Sequence, residues 1–580
     1  MSHISGETTR RRKGGLKVAL LAYWAFPSQL GRAKKRRSPN VAAQPYCLRV
    51  ATPPNPHQIV NLDPLGRSRT PLPPPSSLPY SPAAASVSPS SLARYVQIPQ
   101  PSLIFLIRLK VVMSAAAFPN WAILEPFVFR RDDPSSFPDK TKAPIRASAT
   151  TSLGAPFRIA FSFAEPPHVS RLYAQLPGFP GPDQETPLAI LSTHRHLVLL
   201  RVATQTSTWN TVQDFFIYSA DDPSELLLLP PCTEPYMEYT RRLVCRLPRC
   251  LRRRPLSTPR EEEGPPARPR RLGVTSMGLV SRGEGEQDFA VVELKVYKHT
   301  STEVYADICL FRSSSDLPPA PGGQIAGEWD SMRVPIVHSS DPDDVWQLCL
   351  WQTNAVVPVG RWLCWIDYFR GILFCDVFGQ GPTPTVCFLR FPLDKFPSKP
   401  HRSNACSWLH RNVTPIDDGR ALKFIDVARN DRVGYGALRF GGAFTITCHT
   451  LQLGSVAILK KSTLCSLVWH KDTKLTSSEL WAANPPRCLP RGILMTPLVD
   501  VDKPHIVYFL YFLFSDYKYV LKKVWLVAID MNTKIVESFS KYVNGRDDAG
   551  TVDADLTMER STCPTPFLPF DFPKYLNLSR

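Results

Sequence analysis

From residue 155 onward the chain repeats one event: a short apolar or alternating run rich in Val, Ile, Phe, Tyr and Trp, closed by Gly, Pro, Asp or Asn. Such a run buries a sheet face and must then reverse, so the pattern constrains the chain to a meander of antiparallel strands. Strands are expected at 157–163, 188–191, 196–202, 289–297, 304–311, 332–337 and 385–391. Three stretches show a complete unit. Residues 361–367 face 372–377 across Tyr368-Phe369-Arg370-Gly371, whose glycine can supply a positive φ. Residues 524–530 face 534–539 across Met531-Asn532-Thr533, and 214–218, 220–224 and 226–231 form a looser copy. A strand, acidic turn, strand unit that recurs over several hundred residues is the sequence form of a β-propeller blade. The predicted fold is all-β and β-propeller-like, a repeated strand meander with few short helices; the irregular period leaves the blade number open. Thr476-Ser-Ser-Glu479 has capping-box spacing ahead of Leu480-Trp-Ala-Ala483 and predicts one helix, ended by Asn484-Pro485.

Charge separates this body from what precedes it. Residues 1–112 carry sixteen Lys or Arg against Glu7 and Asp63, which is +14 of the net +19; residues 113–580 carry 53 basic and 48 acidic side chains, or +5. Pro and Ser clusters such as 71–77, with no sustained period, predict a disordered basic leader over 1–112 and a folded body over 113–580. Arg10-Arg11-Arg12-Lys13 precedes an apolar run at 18–26 that is too short to span a bilayer, and an acid-poor, Arg- and Ser-rich leader also suits an organelle transit segment. Met113 opens Met-Ser-Ala-Ala-Ala and reads as the expected start, with 1–112 as an upstream extension of the reading frame. Among fourteen cysteines, Cys309, Cys364, Cys375 and Cys448 sit inside apolar runs, as reduced core cysteines do. That points to the cytosol or nucleus, or to an organelle if the leader targets one. No Cys-x-x-Cys pair occurs, which argues against structural zinc.

The meander breaks at 249–271, where Pro, Arg and Glu dominate, and an exposed flexible insertion is expected there. Arg252, Arg253 and Arg254 make it a candidate contact for an acidic partner or nucleic acid. Glu261, Glu262 and Glu263 follow at once without interleaved aromatics, so a solvated loop is the better expectation. Trp362 and Trp365 stand an odd step apart and point to opposite strand faces. One of them is a candidate exposed anchor for a partner, whereas a core role for both fits stacked blades. His194-Arg195-His196 places two histidines on one side of a strand but has no third ligand at metal spacing, so a structural role is expected. The acids of Asp132-Asp133, Asp341-Pro342-Asp343-Asp344 and Asp547-Asp548 sit beside Pro, Gly or Ser and read as solvated turns. Gly434-Tyr-Gly436 lacks the third glycine of a dinucleotide loop, and 460–469 reads as an insertion. No nucleophile elbow, phosphate loop or metalloprotease motif is present, so no cofactor is expected.

Four stretches, 121–133 (WAILEPFVFRRDD), 189–202 (AILSTHRHLVLLRV), 360–377 (GRWLCWIDYFRGILFCDV) and 525–542 (WLVAIDMNTKIVESFSKY), make the body resemble a plant, mainly grass, family known as domain of unknown function 1618. The third is the most specific, and together they extend over nearly all of 118–575. Members are similar in layout to propeller-like regions that follow F-box motifs, though no F-box occurs here. The resemblance implies a fold class and a plant origin, and no activity, cofactor or catalytic residue. The expected function is a non-enzymatic module that binds a protein partner. An enzyme whose site is assembled from separate blades is the alternative. Nucleic-acid binding through the Arg-rich insertion is weaker, because the body is nearly neutral.

Overall fold

The computed structural model describes residues 118–578 except 180–186, 208–209, 235–267, 283–287, 301–302, 314–324, 326, 380, 382, 395, 397–406, 432–435, 454–466, 515–520 and 543–565. Their short strands form six blades, numbered here in chain order. Blade 2 runs outward through Leu188–His194, Leu197–Ser207, Asn210–Ser219 and Leu226–Leu228. Blade 3 comprises Met277–Ser281, Phe289–Lys298, Val304–Arg312 and Trp329–Val337, and blade 4 Ala355–Val359, Trp362–Asp367, Gly371–Asp376 and Val386–Arg390. Blade 5 comprises Arg411–Ile416, Ala421–Arg429, Phe444–Gln452 and Trp469–Thr476, and blade 6 Leu494–Val499, Ile506–Phe514, Leu521–Asp530 and Val536–Lys541. Blades 3 and 4 also join at their outer strands, where Ile336 and Val337 pair in parallel with Val386 and Cys387.

Blade 1 draws on both ends of the described chain. Its innermost strand is Leu568–Phe570, antiparallel to Ala122–Arg130, and Val169–Gln175, Pro156–Ser162 and Ile145–Thr150 follow outward. The Asn577 side chain clasps the Phe118 backbone on both sides, accepting from its N–H at 2.9 Å and donating to its carbonyl at 2.8 Å. Apolar clusters then join each blade to the next. One spans blades 1 and 2, the next blades 2 and 3, then 3 and 4, then 4 and 5. The last joins blades 5 and 6 and reaches Trp121 and Ile123 of blade 1. Tyr542, just past blade 6, donates its hydroxyl proton to Glu125 of blade 1. Six interfaces in sequence with the last returning to the first make a closed ring, the defining geometry of a β-propeller.

This packing explains the strand patterns. A central strand of a blade is covered on both faces by its neighbours, so Trp362–Asp367 and Gly371–Asp376 are buried along their whole lengths. Both predicted hairpins form, but with shifted registers: Gly371, expected in the turn, enters the second strand opposite Asp367, and in the other hairpin Ile529 lies opposite Val536 beside a bulge. The acid closing each first strand holds the turn itself: Asp367 accepts from the Phe369 N–H at 2.9 Å and Asp530 from the Asn532 N–H at 2.7 Å. Gly371 is required for a reason other than positive φ, since a Cβ there would lie 2.2 Å from the Leu389 carbonyl oxygen. The predicted helix is Ser477–Ala483, with both capping-box bonds formed.

Two further expectations change. The 341–344 acids open a helix, Pro342–Cys349, in which Asp341 caps the N-terminus and buried Asp344 pairs with Arg390. The break expected through 271 ends earlier: Arg268–Pro269 pairs with Thr233–Glu234, and Arg270 is buried against Glu293. A guanidinium with a carboxylate partner at 3.2 Å can be buried where a solvated loop was expected. Among the described residues no helix is long and apolar enough to cross a membrane.

Candidate functional site

In blades 2, 4, 5 and 6 the turn between the innermost and second strands lies at the same end of the ring. Those turns hold Arg195 in blade 2, Gly360 in blade 4, Asp418 and Gly419 in blade 5, and Val501 and Asp502 in blade 6. Blade 1 presents Asn120 and Trp121 entering one strand and Asp571, Lys574 and Tyr575 leaving the other. The blade 3 turn, 283–287, falls outside the described residues. The other five blades enclose a cavity of about 280 Å³ at this mouth. Gly419 makes one side of it, with φ +77° and its Cα-side so close to Gly360 that a Cβ would meet the Gly360 nitrogen at 2.7 Å.

The cavity has an apolar wall and a charged rim. Leu191, Val356, Val357, Pro358 and Leu568 supply the wall, and Asp418, Asp502, Asp571, Arg195 and Lys574 the charge. The Arg195 N–H donates to the Asp571 carboxylate; burial nevertheless holds that carboxyl above its ordinary range. Asp502 is also raised, by desolvation and then by the nearby charges of Asp500 and Asp418. Asp418 and Asp502 are both exposed, and neither has an ion-pair partner among the described residues. Three carboxylates against two cations leave the rim acidic.

His194 lines the same mouth in a structural role. The strand ends at His194, Arg195 turns at φ +53°, and His196 lies in the turn, so the two histidines do not share a strand face as expected. His194 Nδ1 accepts the Ser281 N–H at 2.9 Å, which ties blade 2 to blade 3. Burial, then Arg195 and His196, push its pKa down to about 3. A base depressed on folding stabilises fully above its unfolded pKa near 6.5 and loses that contribution as pH falls towards 3. Wild type is therefore expected to lose about 2 kcal/mol more than His194→Asn between pH 6.5 and 5, at about 1.4 kcal/mol per unit. Parallel urea midpoints across that window, with no difference in slope, would contradict this.

The structure buries both tryptophan candidates. Trp362 and Trp365 are 4% and 0% exposed, so neither is an outward anchor; opposite faces of a blade strand are both core. Arg252, Arg253 and Arg254 lie outside the described residues, as do Asp547, Asp548, Gly434 and 460–466. Trp469, at the end of the expected insertion, opens the outer strand of blade 5. The mouth residues come from turns hundreds of positions apart and carry no linear motif. The hairpin-closing acids legible in the sequence, Asp367 and Asp530, end the second strand of blade 4 and the third strand of blade 6 and do not line this mouth.

The fold and the mouth define the class: a six-bladed β-propeller with an acidic, partly apolar cavity at one end of its ring. Residues 365–508, from the second strand of blade 4 to the second strand of blade 6, match a protein family of unknown function, DUF1618. No curated protein matches the chain. Among solved structures, a GDP-Man-dependent mannosyltransferase from Leishmania mexicana is similar over 65% of this chain and 92% of its own, at 10% identity and TM-score 0.20. An alpha-L-arabinanase from Penicillium chrysogenum is similar over 73% and 97%, at 10% identity and TM-score 0.19. Scores this low carry no argument about fold or activity.

Proposed function

We propose that the chain is a non-enzymatic binding module that holds a protein partner at the propeller mouth, through a peptide segment with an apolar side chain beside a Lys or Arg. The observation that carries this is the pair of exposed, mutually repelling carboxylates, Asp418 and Asp502, above an apolar wall. A cation between them relieves their repulsion, while the wall takes the neighbouring apolar group. A plant protein of the cytosol or nucleus is the setting this reading assumes. The test is binding of the full chain to an array of apolar-basic peptides with acidic counterparts as controls. Asp418→Asn with Asp502→Asn is expected to weaken the basic set about tenfold, two exposed charges being worth roughly 1–2 kcal/mol together. Equal retention of both sets, unchanged in the double variant, would sink the proposal.

Asp571 gives a second reading its footing, because a carboxyl raised by burial beside other carboxylates can serve as a general acid. That reading expects a bound peptide to be chemically altered and Asp571→Asn to stop the change without losing binding; unaltered peptide by mass spectrometry contradicts it. Binding of polyanions through Arg252, Arg253 and Arg254 would instead show as retention on heparin that falls steeply with salt.

A further inference from the structure

Between blades 2 and 3, far along the chain from the mouth turns, two thiols face each other. Cys232 follows the outer strand of blade 2, Cys309 lies on the third strand of blade 3, and their sulfurs are 3.5 Å apart in a buried setting. The groups around them are polar. Buried Arg270 donates from Nη1 to Ser331 Oγ at 2.7 Å and from Nη2 to Glu293 Oε2 at 3.2 Å. Cys309 stands opposite Ser331 on one side and Glu293 on the other. We propose that Cys232 and Cys309 are a redox-modification site that closes to a disulfide on reaction with hydrogen peroxide.

Cys309 is the sulfur that ionises. Its pKa is lowered by the hydrogen bond from the Cys232 thiol, against the cost of burial, and Arg270 and Ser331 lower it further. With Cys309 ionised, Cys232 is the one that donates and is held in the thiol form. The Cys309 thiolate attacks one oxygen of the peroxide, breaking the O–O bond and releasing hydroxide to leave a sulfenic acid. That hydroxide takes the Cys232 proton and becomes water. The Cys232 thiolate then attacks Cys309 Sγ and expels hydroxide, which recombines with the proton Cys309 first gave up. Two thiols and one peroxide become one disulfide and two waters, with two electrons passed from sulfur to oxygen. The sulfurs need approach by only about 1.5 Å to reach bonding distance. The other buried thiols lack this help: burial alone leads the causes that push Cys364 and Cys375 up.

The bond would fasten a neck. The Arg270 N–H donates to the Cys232 carbonyl at 2.8 Å, and Thr233 and Glu234 pair with Pro269 and Arg268, so oxidation would pin this ribbon to blade 3. The full chain is exposed to hydrogen peroxide at a dose that oxidises exposed Cys488, then alkylated under denaturing conditions and mapped without reduction. A peptide joining Cys232 to Cys309, split by dithiothreitol, is the expected result. In Cys232→Ser, dimedone should label Cys309 as the stranded sulfenic acid. Recovery of both residues as alkylated thiols at that dose, or cross-links that leave this pair out, overturns the proposal.

Discussion

A chain ending at residue 565 is expected to lose the cooperative fold of the propeller. The missing segment supplies the innermost strand of blade 1, paired residue by residue as Ala122 to Phe570 and Leu124 to Leu568. It also supplies Phe570, Phe572 and Leu576, all buried, with the two phenylalanines stacked on Phe161 and each other and Phe572 on Tyr218. Three buried apolar side chains are worth roughly 5–9 kcal/mol, comparable to the whole net stability of an ordinary domain. The Asn577 clasp goes with them. Near-ultraviolet circular dichroism should collapse in the truncated chain, and Phe572→Ala alone should cost about 3–5 kcal/mol. A truncated protein with native spectrum and unchanged melting would refute closure by this strand.

Trp365→Ala is expected to cost about 3–5 kcal/mol, the larger part by leaving a cavity between blades 3 and 4. The indole is fully buried and its Nε1 donates to the Ser276 carbonyl at 2.8 Å, so truncation also strands a buried acceptor. Trp365→Phe keeps most of the contact and should cost clearly less. Trp346, half exposed on the helix between these blades, is the control, and its alanine variant should stay within about 0.5 kcal/mol of wild type. Urea midpoints that place Trp365→Ala no lower than Trp346→Ala would contradict the packing of blades 3 and 4.

These effects show which features local sequence could carry. The hairpins at 361–377 and 524–539 were legible because Asp367 and Asp530 fix their own turns within a few residues. The capping box at Thr476 was legible for the same reason. The innermost strands Ala355–Val359 and Leu568–Phe570 were not, being short, only partly buried and interrupted by Pro358 and Pro569. A proline is tolerated on an edge strand, and the channel side of an innermost strand is such an edge. The blade number was hidden with them, because blade 1 is completed from the far end of the chain. Trp362 and Trp365 show the limit of alternation: it assigns faces, and in a ring of stacked blades both faces are interior. Arg270 shows the limit of composition, since its burial depends on Glu293 across a strand that the Arg-rich stretch does not reveal.

Native-state hydrogen exchange of the full chain tests the closed ring most directly. Amides of Leu568 and Phe570 should exchange as slowly as those of their partners Leu124 and Ala122, and those of 574–576 should be protected with them, because one cooperative unit holds both ends of blade 1. Exchange of Leu568, Phe570 and 574–576 at the rate of unstructured peptide, beside slow exchange at Ala122 and Leu124, would show a ring that is not closed by its last strand.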